Sequence, residues 1–148
     1  MKDRTYKYMA KEPLFPFGFG LSYSNFAYSD LKLNAAEVEK GTPVTVTVTV
    51  TNMGPYRADE VVQLYVHDEQ ASVPVPNYDL KGFRRITLWP GASETLRFEV
   101  IPKMMEMINN DGEGVIESGA FKVFVGGALP GARSRSLGAG KFWRLLLM

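Results

Sequence analysis

The chain of 148 residues contains no cysteine, one histidine and two tryptophans. Without thiols it can form neither a disulfide nor a thiolate metal site, and a cysteine nucleophile is excluded. Cysteine-free chains occur in reducing and oxidising compartments alike, so the compartment stays open. No apolar run approaches the roughly 18 residues that a membrane helix needs, and Leu145-Leu146-Leu147-Met148 falls far short. No membrane partner is therefore expected. The first residues, Met1-Lys2-Asp3-Arg4-Thr5, lack the apolar stretch of a secretory signal, so a signal would have to lie outside this sequence. An excess of one charge is also missing: 17 Lys and Arg face 16 Asp and Glu, which gives no field suited to nucleic acid. All the acids precede Ser118, whereas the segment 118–148 carries Lys122, Arg133, Arg135, Lys141 and Arg144. That basic end reads as solvated surface rather than a partner-facing patch.

With 45% hydrophobic residues, the chain can bury one ordinary core. Its dominant signal has a period of two. In Val44-Thr45-Val46-Thr47-Val48-Thr49-Val50-Thr51 every valine falls on one face and every threonine on the other, the mark of a half-buried antiparallel strand. Similar stretches occupy 26–33, 61–67, 83–88, 95–101, 120–125 and 141–146. Turn residues separate them, among them Lys40-Gly41, Asn52-Met53-Gly54-Pro55, Trp89-Pro90-Gly91, Asn110-Asp111-Gly112 and Gly126-Gly127. About seven short strands with few helix-forming stretches predict an all-β, immunoglobulin-like antiparallel sandwich. Segment 103–109 fits either a strand or a helical turn. The connection 68–79, which holds Pro74 and Pro76, cannot be a central strand and has the character of a binding loop.

The beginning is different. Residues 12–22, Glu-Pro-Leu-Phe-Pro-Phe-Gly-Phe-Gly-Leu-Ser, are aromatic and have no period, and their prolines and glycines forbid a regular element. So many apolar side chains must pack on something, either the following sandwich or a neighbour.

Each standard catalytic arrangement fails on its residues. His67 stands at a strand end and reads as an exposed histidine. In Gly20-Leu21-Ser22-Tyr23-Ser24 a serine replaces the second glycine that a nucleophile elbow requires. Asp59-Glu60 and Asp68-Glu69 bracket one strand as adjacent acids, without the opposed placement that glycoside hydrolysis needs. The stretch 109–113 is acidic like a calcium loop, but Met107 and Ser118 occupy the positions of the first and last ligand acids, so a tight hairpin on Asp111-Gly112 is expected instead. Gly18-Phe19-Gly20 lacks the third glycine and the helix of a phosphate cradle. No catalytic residue, metal ligand or cofactor is assigned.

Several ordered motifs carry a resemblance. Pro13-Leu14-Phe15-Pro16-Phe17-Gly18-Phe19-Gly20-Leu21-Ser22-Tyr23 is similar to the segment by which family 3 glycoside hydrolases enter their C-terminal fibronectin type III-like domain. Thr49-Val50-Thr51-Asn52-Met53-Gly54, then Asp59-Glu60-Val61-Val62-Gln63-Leu64-Tyr65-Val66, Leu80-Lys81-Gly82-Phe83-Arg84-Arg85 and the run from Gly119-Ala120-Phe121 to Val125-Gly126-Gly127 resemble that domain's landmarks in their usual order. The likeness spans about 5–145. Met53, where the family often has a small polar residue, and the apolar end at 145–148 depart from it.

The resemblance implies that 1–22 is an arm leaving a preceding α/β domain and 23–148 a fibronectin type III-like sandwich. It implies a non-catalytic accessory domain of a β-glucosidase-like or β-xylosidase-like enzyme, which supports the catalytic barrel and α/β domains and contributes a loop near the substrate cleft. The catalytic residues of such enzymes lie in those other domains, so none transfers to this sequence. A periplasmic or secreted parent is implied, and Phe15, Phe17 and Phe19 become interface residues. Two other readings stand beside it. A carbohydrate-binding module would stack an oligosaccharide on Tyr56, Tyr78 and Trp89. A protein-interaction or dimerisation module would self-associate through edge strands or the apolar arm.

Overall fold

The computed structural model describes residues 4–136 and the backbone of 141–147. The side chains of Arg135, Lys141, Arg144 and the apolar end at 145–148 lie outside what is described. After a one-turn helix α1 (Thr5–Tyr8) the strands run β1 (Phe26–Leu33), β2 (Glu37–Val38), β3 (Val44–Asn52), β4 (Ala58–Asp68), β5 (Asp79–Leu88), β6 (Ser93–Val100), β7 (Met107–Ile108), β8 (Gly114–Val115), β9 (Gly119–Gly126) and β10 (Lys141–Leu147). A short helix α2 (Ala132–Ser136) precedes β10.

Two sheets face each other. One has the order β1-β3-β6 and the other β2-β10-β9-β4-β5, while β7 and β8 pair separately. All pairings are antiparallel except that of β10 with the two-residue β2. All seven strands expected from the sequence form.

The valine–threonine alternation becomes the centre of the smaller sheet. Val44, Val46, Val48 and Val50 are fully buried, and the threonines between them face outward. There Thr49 pairs with Thr95 and Thr51 with Ser93 through their hydroxyls, at 3.1 and 2.7 Å. Val62, Leu64, Val66, Phe121, Val123 and Val125 close the core from the opposite sheet. Unlike β3, strand β4 is buried on both faces from Val62 to Val66. Its outward Tyr65 joins Phe124 and Leu129 in a second cluster, so something must cover the outer face of the larger sheet.

Segment 103–109 takes both of the forms it allows: a 3-10 turn over Pro102–Met105 followed by β7. The expected hairpin at 109–113 is present. Asn109 closes it with its own amide on the Glu113 carbonyl and its Oδ1 on the amides of Asp111 and Glu113, all at 2.9 Å. Strand β5 starts at Asp79, earlier than alternation indicates, because Leu80 and Asp79 pair with Tyr65 and Val66 beyond an irregularity in β4.

Candidate interaction surface

The cover over the outer face of β4 and β9 is the N-terminal arm. Within 12–22 it has no regular element, yet it is fixed at several points. Lys7 in α1 reaches Asp79 at 2.8 Å, and Lys81 holds the other carboxylate oxygen at 2.6 Å. Burial pushes the Asp79 carboxyl up, but the two ammonium groups outweigh it and leave it below its ordinary value. The same hydrogen bond raises Lys7. Asn77 donates its amide to the Lys7 carbonyl at 2.7 Å, the Leu129 amide donates to the Phe17 carbonyl at 2.8 Å, and Glu12 accepts the Ala132 amide at 2.6 Å. Gly18, at φ +80°, lies directly on the Gln63 side chain, where a Cβ has no room. Gln63 is itself held by the Gly127 carbonyl at 3.0 Å and by the Tyr65 hydroxyl.

This fastening gives the arm two faces. Tyr6 packs on the second cluster and stacks on Phe17 at 4.7 Å, and Pro16 is buried. On the other side Leu14, Phe15 and Leu21 are 77%, 61% and 95% exposed, and Phe17 is about half exposed. Phe19 is half-buried and stacks on Phe15 at 5.7 Å. The arm thus packs on its own sandwich and still presents an apolar surface. Val61 and Phe83, which flank Gln63 on the same face, are exposed as well.

A second exposed aromatic group sits at one end of the sandwich. Tyr23 and Tyr56 meet edge to face at 6.5 Å, and the guanidinium of Arg57 lies 5.3 Å from the Trp89 ring centre. Below them the fully buried Asn52 holds the 53–57 loop. Its Nδ2 donates to the carbonyls of Tyr56 and Leu88 at 2.8 and 2.9 Å, and its Oδ1 accepts the Gly54 amide at 2.9 Å. The buried Ser24 hydroxyl donates to the same Tyr56 carbonyl at 2.8 Å. Gly54 passes so close to Ser24 that a Cβ would stand 2.5 Å from its Cα.

Sequence reasoning grouped Tyr56, Tyr78 and Trp89, and the structure separates them. Tyr56 and Trp89 belong to the exposed end, whereas Tyr78 lies under the arm, edge-on to Phe124 at 5.1 Å and beside His67. The 68–79 connection is tied to its own sandwich: Ser72 bonds both Glu117 oxygens, and the Pro76 carbonyl lies 3.3 Å from His67 Nδ1. Of the acids, Asp59 takes Arg85 Nε at 3.0 Å and the Thr87 hydroxyl at 2.6 Å across the β4–β5 pair. Among the described residues, no three His, Asp or Glu side chains gather in a metal-holding group. Tyr23, Arg57, Leu14 and Leu21 were not singled out by sequence. Their signal was only adjacency to the aromatic residues that were.

Residues 60–128 match the family model described as a fibronectin type III-like domain. A putative beta-xylosidase of Formosa agariphila is 44% identical over 130 residues, 85% of this chain and 17% of that protein. Thermostable beta-glucosidase B of Acetivibrio thermocellus is 39% identical over 83% of this chain. Among solved structures, the beta-glucosidase from Listeria innocua in complex with glucose superposes with a TM-score of 0.81 at 31% identity, covering 92% of this chain and 18% of that one. The Bifidobacterium adolescentis GH3 beta-glucosidase gives 0.78 at 31% identity over 95% of this chain and 20% of its own. The chain thus spans 17% of the length of the first curated relative it matches.

Proposed function

Since this chain is a fibronectin type III-like sandwich of the kind carried by family 3 β-glucosidases and β-xylosidases, we propose that it is a non-catalytic accessory domain that docks on the catalytic part of such an enzyme. In this reading residues 1–22 lead in from a preceding α/β domain and 23–148 form the sandwich. The observation that carries it is the two-faced arm: its underside is pinned by Lys7, Glu12, Phe17 and Gly18, while Leu14, Phe15 and Leu21 stand outward. Apolar side chains held rigidly in water cost free energy unless a partner covers them, and rigid presentation lowers the entropy lost on docking. Relatives several times longer than this chain, named for glycosidase activity, support a partner within the same larger enzyme.

The test is complementation. The catalytic part of a family 3 β-glucosidase, expressed without its own fibronectin type III-like domain, is mixed with this chain. A rise in its thermal midpoint is expected, and Leu14→Ser with Leu21→Ser should remove most of it. A rise that survives both substitutions refutes the arm as the docking face. Hydrolysis of aryl β-glucosides or β-xylosides by this chain alone would refute the non-catalytic reading.

A further inference from the structure

At the aromatic end Tyr23, Tyr56 and Trp89 are 91%, 59% and 66% exposed, yet their backbones are fixed. Asn52 holds two of the three at once. Its Nδ2 donates to the carbonyls of Tyr56 and Leu88, which places the chain at 56 and at 88–89 on either side of one nitrogen. Its main chain grips the turn that carries Trp89: the Asn52 amide donates to the Ala92 carbonyl at 3.0 Å, and its carbonyl accepts the Gly91 amide at 2.8 Å. That turn closes from the Ala92 amide to the Trp89 carbonyl at 3.0 Å, with Pro90 and the left-handed Gly91 (φ +74°) at its two central positions. The third ring follows Ser24, whose hydroxyl donates to the Tyr56 carbonyl and accepts the Tyr56 amide at 3.2 Å, so Tyr23 directly precedes the same anchor.

The rings are set as well. The Arg57 guanidinium lies over the Trp89 indole, 5.3 Å from the ring centre. An indole covered on one face and still 66% exposed has its other face open to water. Tyr23 and Tyr56 meet with their planes 80° apart, so this end offers standing ring faces rather than a slot between parallel rings. Three kinds of ligand stack on aromatic faces. A single-stranded nucleic acid also needs a basic track for its phosphates, whereas in 22–25, 52–57 and 88–92 the one charged residue is Arg57, already engaged with Trp89. A proline-rich peptide needs an aromatic-lined groove, which the edge-to-face tyrosine pair does not provide. A pyranose with equatorial hydroxyls lays a flat C–H face on a ring and turns its hydroxyls sideways, where guanidinium N–H groups and phenol hydroxyls can bond them. We infer that this end is a carbohydrate-binding surface for an equatorially linked β-pyranose chain, stacked on Trp89 and Tyr56 and hydrogen-bonded by Arg57. It differs from the trio expected from sequence, since Tyr78 has no part in it and Arg57 does. It does not rest on the docking reading.

The experiment is an amide- and indole-shift titration of this chain with xylohexaose and cellopentaose, each up to about 10 mM, enough to saturate a site of about millimolar affinity. Saturable shifts are expected at the Trp89 indole N–H and at the amides of Gly54, Arg57 and Gly91. Trp89→Ala and Tyr56→Ala, each first checked for a cooperative thermal transition, should weaken binding about tenfold or more, as loss of an aromatic anchor does. Phe83→Ala should leave it unchanged, although Phe83 is as exposed on the outer face of the larger sheet. Four results overturn the proposal: no saturable shift with either sugar; shifts centred elsewhere, or surviving in a folded Trp89→Ala variant; tighter binding of a decaproline peptide at the same residues; or shifts at those residues on raising the protein concentration without sugar, which would make this end a contact between copies. None of these bears on complementation by the arm, so the two readings fail separately.

Discussion

Asn52 offers the sharpest test of how the aromatic end is held. Its side chain makes three hydrogen bonds in full burial, two donated to the carbonyls of Tyr56 and Leu88 and one accepted from Gly54. Asn52→Ala removes all three. Tyr56 keeps its bond from Ser24, but the Leu88 carbonyl loses this donor inside the sandwich. At about 1 kcal/mol for each bond, with a further penalty for the stranded carbonyl, the loss is about 3–4 kcal/mol. For a domain of this size that lowers the melting temperature by about 10 °C. Asn52→Asp separates hydrogen bonding from cavity formation, because it conserves volume. At neutral pH its second oxygen replaces Nδ2 and faces two carbonyl oxygens, so it should be less stable than Asn52→Ala. Its carboxyl would be raised in the folded state, and a raised group contributes stability present below its unfolded value and lost as pH rises through its folded value. The deficit of the aspartate variant should therefore shrink on acidification. Urea unfolding followed by intrinsic fluorescence reads all three proteins. If Asn52→Ala costs less than about 1 kcal/mol, or if the aspartate and alanine variants match at neutral pH, the network is not what holds the loop.

Three further outcomes follow from the other fixed points. Asp79 is depressed by its two lysines, so its contribution is present above the ordinary carboxylate value near pH 4 and lost as pH falls through the lower folded value; hydrogen exchange at the amides of 5–9 should accelerate there, and Asp79→Asn should abolish that acid step. Glu60 is raised, so it favours folding below its unfolded value and loses that contribution as pH rises through its folded value; Glu60→Gln should be more stable than the parent at neutral pH and lose the advantage in acid, as urea midpoints at the two conditions would show. Gly18→Ala must give up a left-handed backbone and enter the space of Gln63, so it should loosen the arm, read as faster proteolysis within 12–22, and lower stability by about 1–3 kcal/mol without unfolding the sandwich.

The strands were legible because burial here obeys a period. Val44 to Val50 alternate with threonines, and the sheet they form has one wet face, so the sequence states which side is core. Strand β4 was legible as a strand but not in its packing. Tyr65 and Gln63 look like the polar side of an ordinary alternation, and only the arm makes that side a second interior. The two-residue strands β2 and β8 carry no pattern at all, since pairing with a neighbour already in place is enough to define them.

The proposed docking surface was legible by composition and not by direction. The run of phenylalanines in the arm announces burial, yet nothing in it says that Tyr6 and Pro16 turn inward while Leu14, Phe15 and Leu21 turn out. That division is made by partners distant in sequence: Asp79 for Lys7, Gln63 for Gly18, Leu129 for Phe17 and Ala132 for Glu12. The same holds for Tyr28 and Glu60, which look like a strand tyrosine and a strand-end acid until the fold brings both against Gly127, where a Cβ would lie 2.5 Å from Glu60 Oε1 and 3.3 Å from the Tyr28 oxygen. A side chain pinned by long-range contacts is held where it is regardless of what surrounds it. The outward apolar residues sit on a backbone fastened on either side of them, and in the proposed docking role that rigidity would present them in register to a partner surface.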